Sequence, residues 1–361
     1  MPKPRSAPRL ADVAARASVS IATASRSLAG REGVSESLAA HVREVALRMG
    51  YVANVHARTL AGGATSTVGL IVHEIGDPYF AEIASGVIGV AAQRGLTVQI
   101  CHSARDPGNE LHQIRTLIAH RTDAIIVAGS GYTEPALQAE SNAVLTAFQE
   151  TGGRVAVIGR HHVAADAVRP DNEGAGAAVA AHLLELGHRR IGVIAGPAVL
   201  TTVADRLGGV AKALTAHGLT LDDVPMLHTD FTRNGGHAGA ERLLTEHPDL
   251  TALIALNDVM AIGVLSVLRA RGIAVPQRIS VAGVDDVAVA ADLAPSLTTV
   301  RLPMTEMGEL ALTMALKPPS ARRRRRNTGH QLIVRDSTGP APQSVGSTSV
   351  ELPSREEANR Q

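Results

Sequence analysis

Tryptophan is absent and Tyr and Phe number three each, so aromatics make up only 2% of the 361 residues. A core without large rings must be filled by Ala, Val, Leu and Ile, and hydrophobic residues at 45% suffice for one. One cysteine, Cys101, excludes an intramolecular disulfide framework and a cysteine-built zinc site. Long apolar runs are also missing, and stretches such as Val155–Ile158 are far too short to cross a bilayer. Lys3, Arg5 and Arg9 are not followed by an apolar segment, so no secretory leader is read, and a soluble, cytoplasmic protein is expected. The fifteen His show no His-Glu-x-x-His spacing and read as solvated. No P-loop or Gly-x-Ser-x-Gly elbow occurs, so no metal, cofactor or catalytic residue is expected.

Charge of one sign is scarce overall, with a net of +1, but it is unevenly placed. Residues 1–63 carry nine Lys and Arg against four carboxylates, and the rest is net acidic despite the run Arg322–Arg326. A small basic head on an acidic body points to a polyanion-binding segment attached to something with a different task.

Within the head, Leu10, Val13, Ala14 and Ala17 share one helical face over residues 10–17. Ser18-Val19-Ser20 breaks that helix, and Ser20 is suited to cap a second one running to Leu28. Ser35 begins a third helix, on which Leu38, Val42, Val45, Ala46 and Met49 repeat at helical spacing. This is the pattern of a helix-turn-helix unit. On the second helix Ile21, Ala22 and Arg26 fall on the exposed face. Thr23 and Ser25 offer small hydroxyls to phosphates, and Arg26 can reach a guanine edge or a phosphate.

From Val68 onward, apolar strands alternate with helices. Residues 68–72, 96–100, 124–127 and 155–158 read as buried parallel strands, and the theme restarts at 191–195, 226–228, 253–256 and 279–283. Two successive doubly wound α/β units imply two lobes with a ligand cleft beyond the strand ends. Asp77 to Phe80, Arg160, Thr202, Arg206, Phe231, Asn257-Asp258 and Asp285-Asp286 stand at those ends. Singly, each reads as a helix cap or a packed side chain. Together they offer the carboxylate, amide, guanidinium and aromatic groups that a polyhydroxylated ligand needs. Arg322–Arg326 reads as a solvated surface loop.

Leu10-Ala11-Asp12-Val13-Ala14, then Val19 to Arg26, Val34-Ser35, Met49 to Asn54 and Ala57 to Leu60 resemble the head of the lactose/galactose-repressor (LacI/GalR) family. Ser18 and Ala24 depart from it, standing where Gly and Val are usual. The body is similar through Leu186 to Gly192, Arg206 to Gly209, Leu256 to Gly263, Gly283 to Asp286, Pro295 to Val300 and Leu332 to Ser337. The resemblance implies a helix-turn-helix domain over 9–53, a hinge helix and linker over 54–65, and a periplasmic-binding-protein-like clamshell over 66–336. A disordered tail is expected over 337–361.

It further implies that Ser20, Ile21, Ala22, Thr23, Ser25 and Arg26 face DNA. Asn54, Ala57, Arg58 and Leu60 belong to the hinge, with Leu60 matching a leucine wedged into the minor groove. Tyr79, Phe80, Thr202, Arg206, Phe231, Asn257 and Asp285 fall on effector-contacting positions, and Arg160 joins them as a strand-end candidate. Leu200 falls where purine-binding members carry arginine, which favours a sugar. The function implied is a homodimeric, effector-controlled repressor of a near-palindromic operator. A receptor or enzyme on the same clamshell without specific DNA binding is the alternative.

Overall fold

A computed structural model describes residues 8–30, 32–51, 67–318, 320 and 322–342. The chain divides into two units, Met1–Ser66 and Thr67–Gln361.

The first unit contains α1 (Leu10–Arg16), α2 (Ile21–Ala29) and α3 (Glu36–Arg48). Ser20 starts α2 by accepting the Thr23 backbone N–H at 3.0 Å, and Gly30 ends it in the left-handed region. Between α1 and α2, Ser18 itself takes a left-handed φ of 54°. Val13, Ala14, Ala17, Ala24, Val42, Val45 and Ala46 form the core. Small residues there let short helices pack with almost no aromatic filling. The hinge residues Asn54, Ala57, Arg58 and Leu60 lie outside the described residues.

The second unit has two lobes. One holds a parallel sheet ordered β11-β5-β4-β3-β1-β2, from β1 (Thr67–Val72), β2 (Thr97–His102), β3 (Ala124–Ala128), β4 (Arg154–Ile158), β5 (Asp166–Pro170) and β11 (Arg325–Thr328). The other holds a parallel sheet ordered β7-β6-β8-β9, from β6 (Ile191–Ala195), β7 (Met226–His228), β8 (Ala252–Ala255) and β9 (Ser280–Ala282). Strands β1, β3, β4 and β6 are nearly continuous apolar runs because helices cover both sheet faces. Among the described residues the lobes are joined three times, near residues 170–172, 302–304 and 328–331. An antiparallel pair, β10 (Thr299–Arg301) with β12 (Gln331–Ile333), lies beside two of these crossovers.

Helices α4 (Pro78–Gln93), α5 (Pro107–Ala119), α6 (Ala139–Glu150) and α11 (Met304–Ala315) cover the first sheet. The second lobe has α7 (Asn172–Glu185), α8 (Thr201–Ala216), α9 (Arg233–Glu246) and α10 (Asp258–Ala270). α7 and α8 cross with Gly176 against the Arg206 carbonyl and Gly209 against the Glu173 carbonyl, leaving no room for a Cβ at either glycine. The same reciprocal arrangement joins α4 to α11 through Gly86 and Gly308, and α9 to α10 through Gly236 and Gly263.

Three expectations are corrected. The end of the arginine run, with Asn327 and Thr328, forms an edge strand over 325–328 rather than a loop, anchored where Arg324 bonds Asp166 through its N–H at 2.8 Å and its Nη1 at 2.9 Å. Strand pairing uses only backbone groups, so four arginines can stay exposed around one anchored neighbour. The tail does not begin at 337, since the buried Ser337 hydroxyl donates to the Val281 carbonyl at 2.6 Å and Ala341 N–H reaches Leu186 at 2.9 Å. Finally, His73, His161 and His188 are buried rather than solvated, each satisfied by polar partners. Among the described residues no helix is long and apolar enough to cross a membrane.

Candidate functional site

The exposed side of α2 is the candidate nucleic-acid face. Ile21 stands 55% exposed at its first turn, with Ala22 and Arg26 also exposed and Thr23 and Ser25 half-buried. More than half of that apolar side chain is therefore open to a partner. Ser20 Oγ and Thr23 Oγ1 bond each other at 2.8 Å, and Ser27 is turned inward, its hydroxyl donating to the Thr23 carbonyl. Among the described residues Arg26 is tethered only by a long 3.4 Å contact from Nε to the Ala22 carbonyl.

In the body, one cleft between the lobes gathers Tyr79, Phe80, Thr202, Arg206, Phe231, Asn257 and Asp285. The strand-end rule works because each sits just after a strand or in the first turns of the following helix. Asp77 caps α4 through the Tyr79 N–H, and Asn257 caps α10 through the Met260 N–H at 2.9 Å, so capping and lining the cleft are done by the same elements. Tyr79 and Phe80 meet edge to face at 5.0 Å.

Arg206 is the hub of the floor. Its Nε donates to Asn172 Oδ1 at 3.0 Å, its Nη2 to Asp285 Oδ1 at 2.7 Å, and its Nη1 to the Leu256 carbonyl. Burial pushes the Asp285 carboxyl upward while the adjacent Arg206 guanidinium opposes that rise. Asp285 and Asp286 both have positive φ, at 126° and 59°. That strained turn is held by Asp258, which takes the Val287 N–H at 3.0 Å, and by ion pairs from Arg301 and Arg335 to Asp286.

Three further residues, His73, Arg105 and Ser130, line the cleft beside those expected from the sequence. His73 follows directly on β1 and was accessible to the strand-end rule; Arg105 and Ser130 carry no motif. Arg105 reaches from one lobe to within 5.9 Å of the Phe231 ring on the other. Ser130 Oγ takes the Thr202 N–H at 2.9 Å, and the 131–133 and 199–201 segments exchange backbone hydrogen bonds beside it. The cleft is consequently narrow, with about 40 Å³ of free space. Ligand pockets usually offer roughly 300–1,000 Å³, so a sugar-sized ligand is admitted only when the lobes separate.

Arg160 is not in the cleft. It turns instead to Asp205 on α8, with Nη2 at 2.6 Å and Nε at 3.2 Å from the carboxylate, and lines a different hollow. Among the described residues no cluster of His, Cys, Asp or Glu could hold a metal ion.

Comparison with known proteins agrees with this division of the chain. Residues 9–54 match the bacterial regulatory proteins of the lacI family, and residues 180–338 match a periplasmic binding protein-like domain. The HTH-type transcriptional regulator DegA of Bacillus subtilis is 32% identical over 337 residues, covering 91% of this chain and 97% of that protein. The HTH-type transcriptional regulator CelR of Thermobifida fusca is 34% identical over 310 residues, covering 84% and 89%. A solved complex of transcriptional regulator CelR with cellobiose superposes with a TM-score of 0.68 at 30% identity, covering 91% of this chain and 99% of that one. The lac repressor dimer bound to operator and the anti-inducer ONPF shares the fold, with a TM-score of 0.80 at 23% identity, covering 92% and 100%. A basic reading head and a two-lobed receptor body, with this identity over nearly the whole length of a relative, place the chain in the LacI family: it is a DNA-binding, effector-responsive transcriptional regulator and not an enzyme.

Proposed function

We propose that the protein is a cytoplasmic, homodimeric repressor released from or fixed to a near-palindromic operator by a sugar or related polyol in the cleft. Each chain places the start of α2 in the major groove, where Ile21 and Ala22 read base edges. Arg26 contacts a base or a phosphate, and Ser20, Thr23 and Ser25 serve the backbone. Paired hinges carrying Asn54, Ala57, Arg58 and Leu60 bend the centre of the site.

The observation that carries this reading is the cleft itself. Seven residues drawn from both lobes present aromatic faces, a carboxylate, an amide, a hydroxyl and a guanidinium around one narrow space. A ligand entering there must part the lobes, and its leverage on DNA affinity equals its preference for one lobe arrangement over the other. Cellobiose in the CelR complex supports a carbohydrate, and the apolar Leu200 at the cleft wall gives a purine no charged partner.

The test is binding of the purified chain to its own upstream DNA against a scrambled duplex, over a salt series, with and without a panel of mono- and disaccharides. A preference that survives rising salt and changes with one sugar is the expected result. Equal, salt-sensitive binding to both duplexes, unaltered by any sugar, overturns the reading.

A further inference from the structure

A second hollow of about 480 Å³ lies where the chain crosses between the lobes, sharing no lining residue with the cleft. One lobe supplies Arg160, Arg169 on β5 and Thr328 on β11; the other supplies Asn172, which opens α7, and Asp205 on α8.

Two buried polar atoms of its lining have no hydrogen-bond partner among the described residues: Arg169 Nε and the hydroxyl of Thr328, a residue only 6% exposed. The three carboxylates at the rim are already engaged, Asp205 by Arg160 at 2.6 Å, Asp171 by His330 at 2.7 Å and Glu173 by Lys212. Arg169 alone has no ion-pair partner among the described residues. Its guanidinium is partly desolvated and crowded by Arg325 and Arg160, which together pull its pKa down against an opposing pull from Asp205. A partly buried cation with no carboxylate in direct contact is an unfavourable arrangement unless an anion completes it. The first turn of the 14-residue helix α7 borders the same hollow and adds the positive end of its dipole, with its Gly174 N–H already taken by the Asp171 cap at 2.9 Å.

We propose that this hollow binds a phosphate group, free or as a small phosphomonoester, held by the Arg169 guanidinium, the Thr328 hydroxyl and the first turn of α7. Guanidinium, hydroxyl and backbone N–H donors converging from different directions suit a tetrahedral oxyanion, and the volume leaves room for an organic substituent. The donors come from both lobes, so the anion favours one lobe arrangement. Asn172 links the two sites directly, bordering the hollow while its Oδ1 accepts from Arg206 in the cleft. Phosphate and cleft ligand therefore alter each other's affinity by the same factor.

The experiment uses the full chain without DNA, so it does not depend on the operator reading. Inorganic phosphate and glycerol 3-phosphate are titrated separately by calorimetry at fixed ionic strength, with chloride as the control. Saturable binding of one phosphate per chain is expected, weakened about tenfold in Thr328→Val and more in Arg169→Gln, as for hydrogen bonds to a charged group. In chloride, Arg169→Gln should melt no lower than wild type, because it removes an unpaired cation. Tighter binding of glycerol 3-phosphate assigns the site to phosphomonoesters, and tighter binding of inorganic phosphate assigns it to the free ion. No saturable signal from either, or equal binding by wild type and both variants, overturns the proposal.

Discussion

Arg206 Nη2 and Asp285 Oδ1 are 2.7 Å apart with both side chains 3% exposed, so the floor of the cleft is a buried ion pair. The other two guanidinium nitrogens donate to Asn172 and Leu256, whereas the second oxygen of Asp285 has no protein partner among the described residues. The carboxylate thus has a structural duty on one oxygen and an available acceptor on the other. Asp285→Ala should cost about 3–5 kcal/mol in denaturant unfolding, because it strands a buried guanidinium. Asp285→Asn keeps an acceptor for Arg206 and should cost less while still abolishing the effector response. Equal stability of Asp285→Ala and wild type would show that the pair does not hold the floor together.

Arg26→Ala should weaken operator binding by about 1–3 kcal/mol if the guanidinium reads a base. Fluorescence anisotropy on operator and on random duplex separates the roles. A loss confined to the operator marks a base contact, and an equal loss on both marks a phosphate contact.

Ser18→Gly should stabilise the head by about 1 kcal/mol, since φ of 54° is costly for a residue with a Cβ and free for glycine. Thermal melting of residues 1–51 against the same segment with the substitution reads this directly, and a lower melting temperature in the variant would contradict it.

His73 is held neutral: Nε2 donates to the Ser130 carbonyl at 2.8 Å, and the Ser103 hydroxyl lies 3.0 Å from Nδ1. Burial, with Arg105 nearby, lowers its pKa to about 3. The unfolded chain takes up this proton near pH 6.5 and the folded one does not, so the stability His73 provides is complete above 6.5 and declines as pH falls toward 3. Buried carboxyls with raised pKa, such as Asp258 at about 6, act in the opposite direction, so the signal is the difference from a variant. The stability gap between wild type and His73→Gln should shrink by up to ~1.4 kcal/mol per pH unit below 6.5. A gap independent of pH would mean that His73 is protonated in the fold.

Much of this architecture is legible where one physical requirement dominates. Ser20 stands where a helix needs a capping hydroxyl, and the apolar runs of β1, β4 and β6 have no alternative to a covered sheet. Arg322–Arg326 illustrates the opposite case: composition favours a loop, but an edge strand needs only backbone pairing and tolerates any exposed side chain. Histidine is ambiguous for a related reason, because His73 and His188 are buried only where a carbonyl or hydroxyl happens to face each ring nitrogen. Arg160 stands at a strand end as the cleft residues do, but side-chain direction is decided by Asp205, 45 positions away along the chain. Arg105 escapes notice because its approach to Phe231 depends on how the two lobes meet.

The reciprocal glycines at the helix crossings have a mechanical consequence. Where Gly176 and Gly209 bring α7 and α8 into backbone contact, neither helix can yield to a pushing ligand by shifting a side chain. The pairs α4–α11 and α9–α10 are equally stiff, so each lobe behaves as a lever with little compliance of its own. Displacement imposed at the cleft must then be taken up at the three crossovers, where the chain is thinnest. In that sense the glycines act as bearings, and a single methyl at one of them would spoil the linkage without touching either ligand or DNA.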